Sequence, residues 1–316
     1  MKKEKQININ WQIVGVLAAI VVIIIVTGII RPQFFKLSNI ANVVRQNAAL
    51  ALVAFAMTPI IITGGIDLSP AANNALVSIV VAMLLVRGMN VYAAMTIGIM
   101  AGTACGLING VLIGYLRLPP FVATLSTQCI VQGVALTITG GVPVTNLGSE
   151  VYKTLGIGSI GNIIPVNFIP VVVLFALTFF LIHKTKFGIN TYAIGGNETV
   201  ALWAGINVKK HKLLVYTFAG FMFGIAGVIA GSRVSSGQPY LSTGIELDAI
   251  AAACIGGTSM SGGKGTMLGT LLGVMLMGLL NNALNLSGIS TFVQDIVTGF
   301  VIAIAVFVSM IRDNKN

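Results

Sequence analysis

Apolar residues run along this chain in blocks, not in alternation. Ten blocks, near 11–30, 47–63, 70–86, 91–114, 120–139, 165–182, 213–232, 245–257, 266–285 and 289–311, are parted by short polar connections. About 20 apolar residues carry an α-helix across the ~30 Å hydrocarbon layer of a bilayer. The pattern therefore predicts an all-α membrane protein of about ten transmembrane helices, with residues 1–316 forming one transmembrane domain. The blocks at 70–86 and 245–257 are short or interrupted by polar residues. The first block follows MKKEKQININ and imitates a signal peptide. It is longer than an ordinary signal core, and no small-x-small site closes it, so it reads as the first span.

Composition agrees. Hydrophobic residues make up 56% of the chain and charged residues only 8%, against about 25% charged in soluble domains. Mean hydropathy is +0.97. The net charge of +10 does not signal nucleic acid here, because Lys and Arg gather in cytoplasmic connections and set orientation. An even number of spans puts both termini on one side. With the N-terminus inside, twelve of the 18 Lys and Arg fall inside, among them Lys2, Lys3, Lys5, Lys264 and Lys315. The outer six are Arg31, Lys36, Arg45, Arg87, Lys153 and Arg233. Both termini are therefore expected in the cytoplasm. Cys105, Cys129 and Cys254 lie in apolar stretches without metal or disulfide spacing and read as free packing thiols.

The longest charged interruption, His183 to Lys212, reads HKTKFGINTYAIGGNETVALWAGINVKKHK and falls on the cytoplasmic side. Its lysines bracket a short helix-like piece, 197–206, with glycines before and inside it. That suits a docking element for a partner, not a catalytic site. The external stretch 140–165 is rich in Gly, Asn, Ser and Thr and reads as a connector.

Gly98, Gly102, Gly106, Gly110 and Gly114 recur every four residues through the fourth block. On a helix they form one slowly drifting stripe, where small residues let backbones approach closely. Gly220/Gly224, Gly227/Gly231 and Gly269/Gly273 repeat the spacing. The stripes mark tight packing, either within one chain or at a dimer seam. A fainter repeat pairs Gly65-Ile66-Asp67-Leu68 with Gly244-Ile245-Glu246-Leu247. In this layout the two follow spans of opposite direction, as inverted repeats of transporters do.

Ionisable groups at membrane depth usually face a cavity or a partner. Asp67, Glu246, Asp248 and Asp295 are the candidates, the first three also suited to stabilising helix N-termini. The amides Asn73, Asn74, Asn109, Gln128, Gln132, Asn281, Asn282 and Asn285 form a second set. Amides both donate and accept hydrogen bonds. They suit a path for a neutral polyhydroxyl solute, or interhelical bonding. The run GGTSMSGGKGT (256–266) is not a phosphate loop: Gly257 stands one place out of register and Gly265 replaces the Ser or Thr after Lys264. No nucleophile, paired-carboxylate or metal constellation is apparent.

Three segments carry a resemblance: GGIDLS (64–69), KFGINTYAIGGNETVALWAGINV (186–208) and ELDAIAAACIGGTSMSGGKGTMLGTLLGVMLMGLLNNALNLSGIS (246–290). The chain resembles the permease subunits of bacterial ABC sugar importers of the ribose/xylose/galactoside branch, and more loosely the branched-chain amino-acid permeases. The resemblance covers nearly the whole length. It implies a multi-pass cell-membrane permease with no catalysis of its own. A second permease copy, identical or not, completes the pore. Cytoplasmic ABC ATPase subunits bind ATP and Mg and supply energy, and an extracytoplasmic binding protein delivers a monosaccharide. It also implies that 196–207 is a coupling helix seated in the ATPase, involving Gly196, Asn197, Glu198, Ala201, Trp203, Gly205, Ile206 and Asn207, with Val200, Leu202, Trp203 and Ile206 as apolar anchors. The chain departs from the family at Pro70-Ala71-Ala72-Asn73-Asn74, where twin Asn residues are expected to line the path. Nucleosides or autoinducer-2 are alternative cargoes, and an ion-coupled secondary transporter is an alternative mechanism.

Overall fold

The computed structural model describes residues 11–161 and 163–313. Lys2, Lys3, Lys5 and Lys315, counted above as inner charges, lie outside the described residues. Every apolar block is a helix. In order these are α1 (Trp11–Ile30), α2 (Leu37–Ile62), α3 (Pro70–Val86), α4 (Val91–Gly114) and α5 (Pro120–Thr139), then the short α6 (Glu150–Ile157). There follow α7 (Phe168–Lys184), α8 (Lys186–Gly196), α9 (Glu198–Trp203), α10 (Val208–Val234), α11 (Ile245–Ile255), α12 (Met267–Leu286) and α13 (Thr291–Asp313). Local chemistry sets many of the ends. Pro70 opens α3 at its first turn, where a missing N–H costs nothing. The side chains of Asn90, Asn197, Asn207 and Thr266 cap α4, α9, α10 and α12.

Six helices, α1, α2, α4, α5, α10 and α12, are long and apolar enough to cross a membrane, and α7 with α8, bent by 67°, can count as a seventh. The expected block at 245–257 is only an eleven-residue helix, about 16 Å long and half a bilayer. Irregular backbone carries the rest of that passage. The isolated pairing of Val144 with Gly237 lies at the far end of α10, whereas Gly263 donates its N–H to Ile62 O beside α8. Between these points the chain passes from one end of the bundle to the other. Such backbone survives at membrane depth only when protein surrounds it, and Gly256, Thr258 and Ser259, just past α11, are buried.

The two ends of the bundle gather the connections that the charge count separates. At one end, 63–69, 183–207 and 256–266 meet: Gly263 bonds Ile62 at 2.8 Å, and the Tyr192 hydroxyl donates to Gly265 O at 2.7 Å. At the other, Arg45 Nη2 donates to Ser159 Oγ at 2.9 Å, Asn167 donates to Arg45 O at 3.1 Å, and the Ser232 hydroxyl donates to Tyr152 O.

The two halves pack alike. Helix α2 lies on α11 and α12, while α10 lies on α3 and α4. Helix α3 also contacts α5, as α11 contacts α13, and α2 meets α10 at the centre. The GIDL segment follows α2 and GIEL follows α10, so the weak sequence repeat sits at matching points of a structural one.

The glycine stripe of α4 packs within the chain. A Cβ on Gly220 would sit 2.7 Å from Gly106 Cα, and one on Gly102 would sit 2.7 Å from Gly224 Cα. Gly110 and Gly114 meet Leu213 and Lys209 of the same partner helix, whereas Gly98 faces Val81 of α3. Gly227 and Gly231 turn α10's next face to Asn74 and Ser78 of α3. Cys105 and Cys254 are buried, as expected of packing residues, but Cys129 is exposed.

Replacing Gly106 by Leu is expected to cost at least 3 kcal/mol, the upper end for an overpacked core. Gly133→Ala, at a position with nothing within 4 Å, should be neutral or better. Unfolding of the purified variants in detergent measures both; equal stability would refute the seam.

Candidate functional site

A cavity of about 580 Å³ opens beside the end of α10 that carries Arg233. That volume lies within the range of small-molecule sites. Helix α2 contributes Arg45, Gln46 and Asn47, and α10 contributes Ile229, Ala230 and Arg233. Ser242, Thr243 and Asp248 come from the approach to α11 and its first turns. Asn281 and Asn285 of α12 and Gln294, Asp295 and Thr298 of α13 close the other wall. Charge is matched: Arg45 and Arg233 stand with Asp248 and Asp295. Gln294 Nε2 donates to Asn285 Oδ1 at 3.0 Å, which fixes the Asn285 amide with its NH₂ free to donate.

Four of the predicted residues, Asn281, Asn285, Asp248 and Asp295, therefore converge here, and the rest do not. Asn282 is one position from Asn281 and so ~100° around the helix. It exchanges two bonds with Asn39 of α2, at 3.0 and 2.9 Å, and joins helices. Asn73 donates to Gly102 O at 3.1 Å, tying α3 to α4, and Asn74 is fully buried. Neither twin Asn lines this cavity. Gln132 donates to Pro239 O at 2.7 Å, and Gln128 is half-buried on α5 away from the lining. Asn109 donates to Ser69 Oγ at 3.0 Å.

Asp67 is fully buried and closes the 63–69 turn, accepting from Ser69 N at 2.8 Å and Ser69 Oγ at 2.6 Å. Glu246 is buried too, and its carboxylate takes a bond from the Ala71 backbone at the start of α3. Asp67 stands just before α3 and Glu246 in the first turn of α11, at matching points of the two halves. The charge count used Arg45 and Arg233 for orientation only, and so passed over them as lining groups. The legible signal was periodicity: Gln294, Asp295 and Thr298 sit at positions i, i+1 and i+4 of an otherwise apolar helix.

The opposite end presents α9. Asn197 caps it through Val200 N at 3.0 Å. Trp203 is 80% exposed, with Val200 and Leu202 at 54% and 59%. Ala201 packs inward with Ile194 and Val208, and Ile206 packs against that cluster. Ile206 is therefore a root of the element and not, as expected, one of its outward anchors. Lys212 Nζ meets Glu198 Oε2 at 2.7 Å, Asn207 caps α10 through Lys210 N at 3.0 Å, and Gly205 turns the chain at φ +84°. Gly196 and Gly205 have open space around them.

Comparison with known proteins adds lineage. The family described as branched-chain amino acid transport system / permease component matches residues 39–306. The ribose import permease protein RbsC of Bacillus subtilis (strain 168) is 44% identical over 307 residues, covering 96% of this chain and 95% of that protein. RbsC of Escherichia coli (strain K12) is 40% identical over 304 residues, covering 95% and 92%. The D-allose transport system permease protein AlsC of the same strain is 34% identical over 307 residues, covering 96% and 94%. No solved structure matches significantly.

Replacing Asn39 or Asn282 by Leu is expected to cost about 1 kcal/mol, because each single change removes the other amide's partner across the α2–α12 contact. The double variant should recover part of that loss. A double-mutant cycle on unfolding in detergent reads it out, and strictly additive losses would show that the two amides do not interact.

Proposed function

We propose, from the premise that the chain belongs to the family of branched-chain amino acid transport system permease components, that it is the membrane-spanning subunit of a binding-protein-dependent ABC importer for a monosaccharide. The family is one of transporter permeases, not enzymes, and the chain is a multi-pass protein of the cytoplasmic membrane. Relatives named for ribose and allose, aligned almost end to end, support a pentose or hexose as cargo. In this reading the chain makes ten crossings as inverted repeats, with both termini and α9 in the cytoplasm. A cytoplasmic ATPase holding ATP and Mg seats α9. A second permease copy completes the pore, and an extracytoplasmic binding protein delivers sugar to the cavity end.

One observation carries the mechanism. Helix α10 begins at the cap beside α9 and ends in the cavity wall at Arg233. Its 27 residues reach about 40 Å. The exposed Trp203, Val200 and Leu202 are the anchors an ATPase groove would hold. Rigid-body displacement of that contact moves α10, and α10 moves the cavity wall. A secondary transporter would leave this exposed element without a use.

The test is uptake of labelled ribose into proteoliposomes holding this chain, its ATPase and its binding protein. A side chain at Gly205 must adopt a left-handed conformation, costing about 1–2 kcal/mol. Gly205→Trp adds bulk in the docking surface. It should abolish uptake, whereas Gly196→Ala, with no positive φ and open space, should retain it. Uptake by the chain alone, indifferent to ATP and to Gly205, would establish a secondary transporter instead.

A further inference from the structure

We infer that the cavity beside Arg233 is a low-affinity receiving site for a neutral monosaccharide in the permease itself, with Asp248 and Asp295 selecting the cargo. This rests on the importer reading. Three features of the cavity carry the inference.

The first is charge balance. Arg45 and Arg233 against Asp248 and Asp295 leave the lining with no net charge, so it favours neither an anion nor a cation. The second is the alternation of hydrogen-bonding roles. Each carboxylate accepts two or more hydroxyl donors, whereas guanidinium groups only donate. Asn285 is held with its NH₂ available by Gln294, and Asn281 stands one turn before it. A sugar hydroxyl donates and accepts at once, and it fits between such groups where a purely donating or accepting solute would not.

The third is the lack of an aromatic ring among the lining residues. A nucleobase bound here would forgo the stacking worth about 1–3 kcal/mol per base on an aromatic side chain. A monosaccharide loses only the ring contact with its apolar face and keeps its hydroxyl bonds. The cavity therefore fits a sugar over a nucleoside, and holds it weakly.

Two measurements on the complete importer in proteoliposomes test this. Asp248→Asn and Asp295→Asn keep the volume and replace an ionised acceptor by an amide. Hydrogen bonds to charged groups are worth about 1.5–3 kcal/mol, so ribose moved per ATP hydrolysed should fall about tenfold or more. Hydrolysis stimulated by the binding protein is read in the same vesicles, so that the ratio separates lost sugar transfer from lost assembly. The second measurement needs no transport. Thr298→Cys, in a Cys129→Ser background that removes the exposed thiol, reports on the cavity through a membrane-impermeant thiol reagent. Millimolar ribose should slow its modification, and adenosine should not.

If the wild-type importer moves ribose with ATP but ribose leaves Cys modification unchanged, or adenosine protects equally, the receiving site is refuted while the importer stands. Carboxamide variants that keep the full ribose-to-ATP ratio refute the selecting role. If the wild type takes up no sugar with ATP, the importer reading falls and the site falls with it.

Discussion

The fold depends on how closely α4 can approach α10. Lipid tails are as apolar as the side chains they would replace, so helices in a bilayer gain little from hiding greasy surface from one another. Association comes instead from close packing and from weak contacts between backbones. Gly102, Gly106, Gly110 and Gly114 remove the side chains that would hold the two helices apart, and Gly220 and Gly224 answer from α10. Each four-residue step turns the stripe by ~40°. That drift is why Gly98, at the start of the helix, meets Val81 of α3 instead. The same logic continues up α10, where Gly227 and Gly231 admit α3. Three helices are thereby locked into one block, against which α2 packs.

With that block fixed, the broken passages become tolerable. Non-helical backbone at membrane depth must find its hydrogen bonds inside the protein. At 63–69 the partners are local: Gly65 N reaches Ile60 O, and Asp67 takes two bonds from Ser69. At 256–266, Ser259 N reaches Lys264 O, and Gly263 N reaches Ile62 O. The last bond joins the two breaks, and a Cβ on Gly195 would collide with both Ile62 O and Gly263 N. Helix α8, which leads into α9, therefore rests at Gly195 on bare backbone of both breaks. The Tyr192 hydroxyl bond to Gly265 O ties the same two parts together. A push on α9 passes along α10 on one route and into the entrances of α3 and α12 on the other.

Much of this was legible in the residues, and the remainder failed for physical reasons. All ten apolar blocks became helices because hydropathy reports a local property. The stripe on α4 was readable as a seam, but one sequence does not say which surface it meets, since a second copy and α10 ask for the same small residues. The twin Asn after Pro70 looked like lining because burial and cavity exposure share one composition, and only packing showed Asn73 bonded to α4. Asn281 and Asn282 were grouped by identity, although helical periodicity already put them on different faces. Arg45 and Arg233 were spent on orientation, because a charge near a helix end serves topology and site equally. Ile206 belonged to the apolar pattern of α9, but the turn at Gly205 folds it back under the helix.

Under the proposed function, a weak cavity would follow from its place in the cycle. A site on a translocation path must bind well enough to be entered and loosely enough to be left. An aromatic platform would deepen the well and slow release. Arg and Asp groups of balanced number, without such a platform, would give direction to hydroxyl groups without trapping them. Selectivity at this point is then a matter of refusal. An ion finds no net charge to attract it, a nucleobase finds no face to stack on, and a hydrocarbon leaves polar groups unpaired. The cavity wall includes the far end of α10, so on that reading the helix that would receive force from α9 would also shape what the cavity accepts. On the importer reading, linking the two in one element would tie the release of a weakly held cargo to the motion of the docking end.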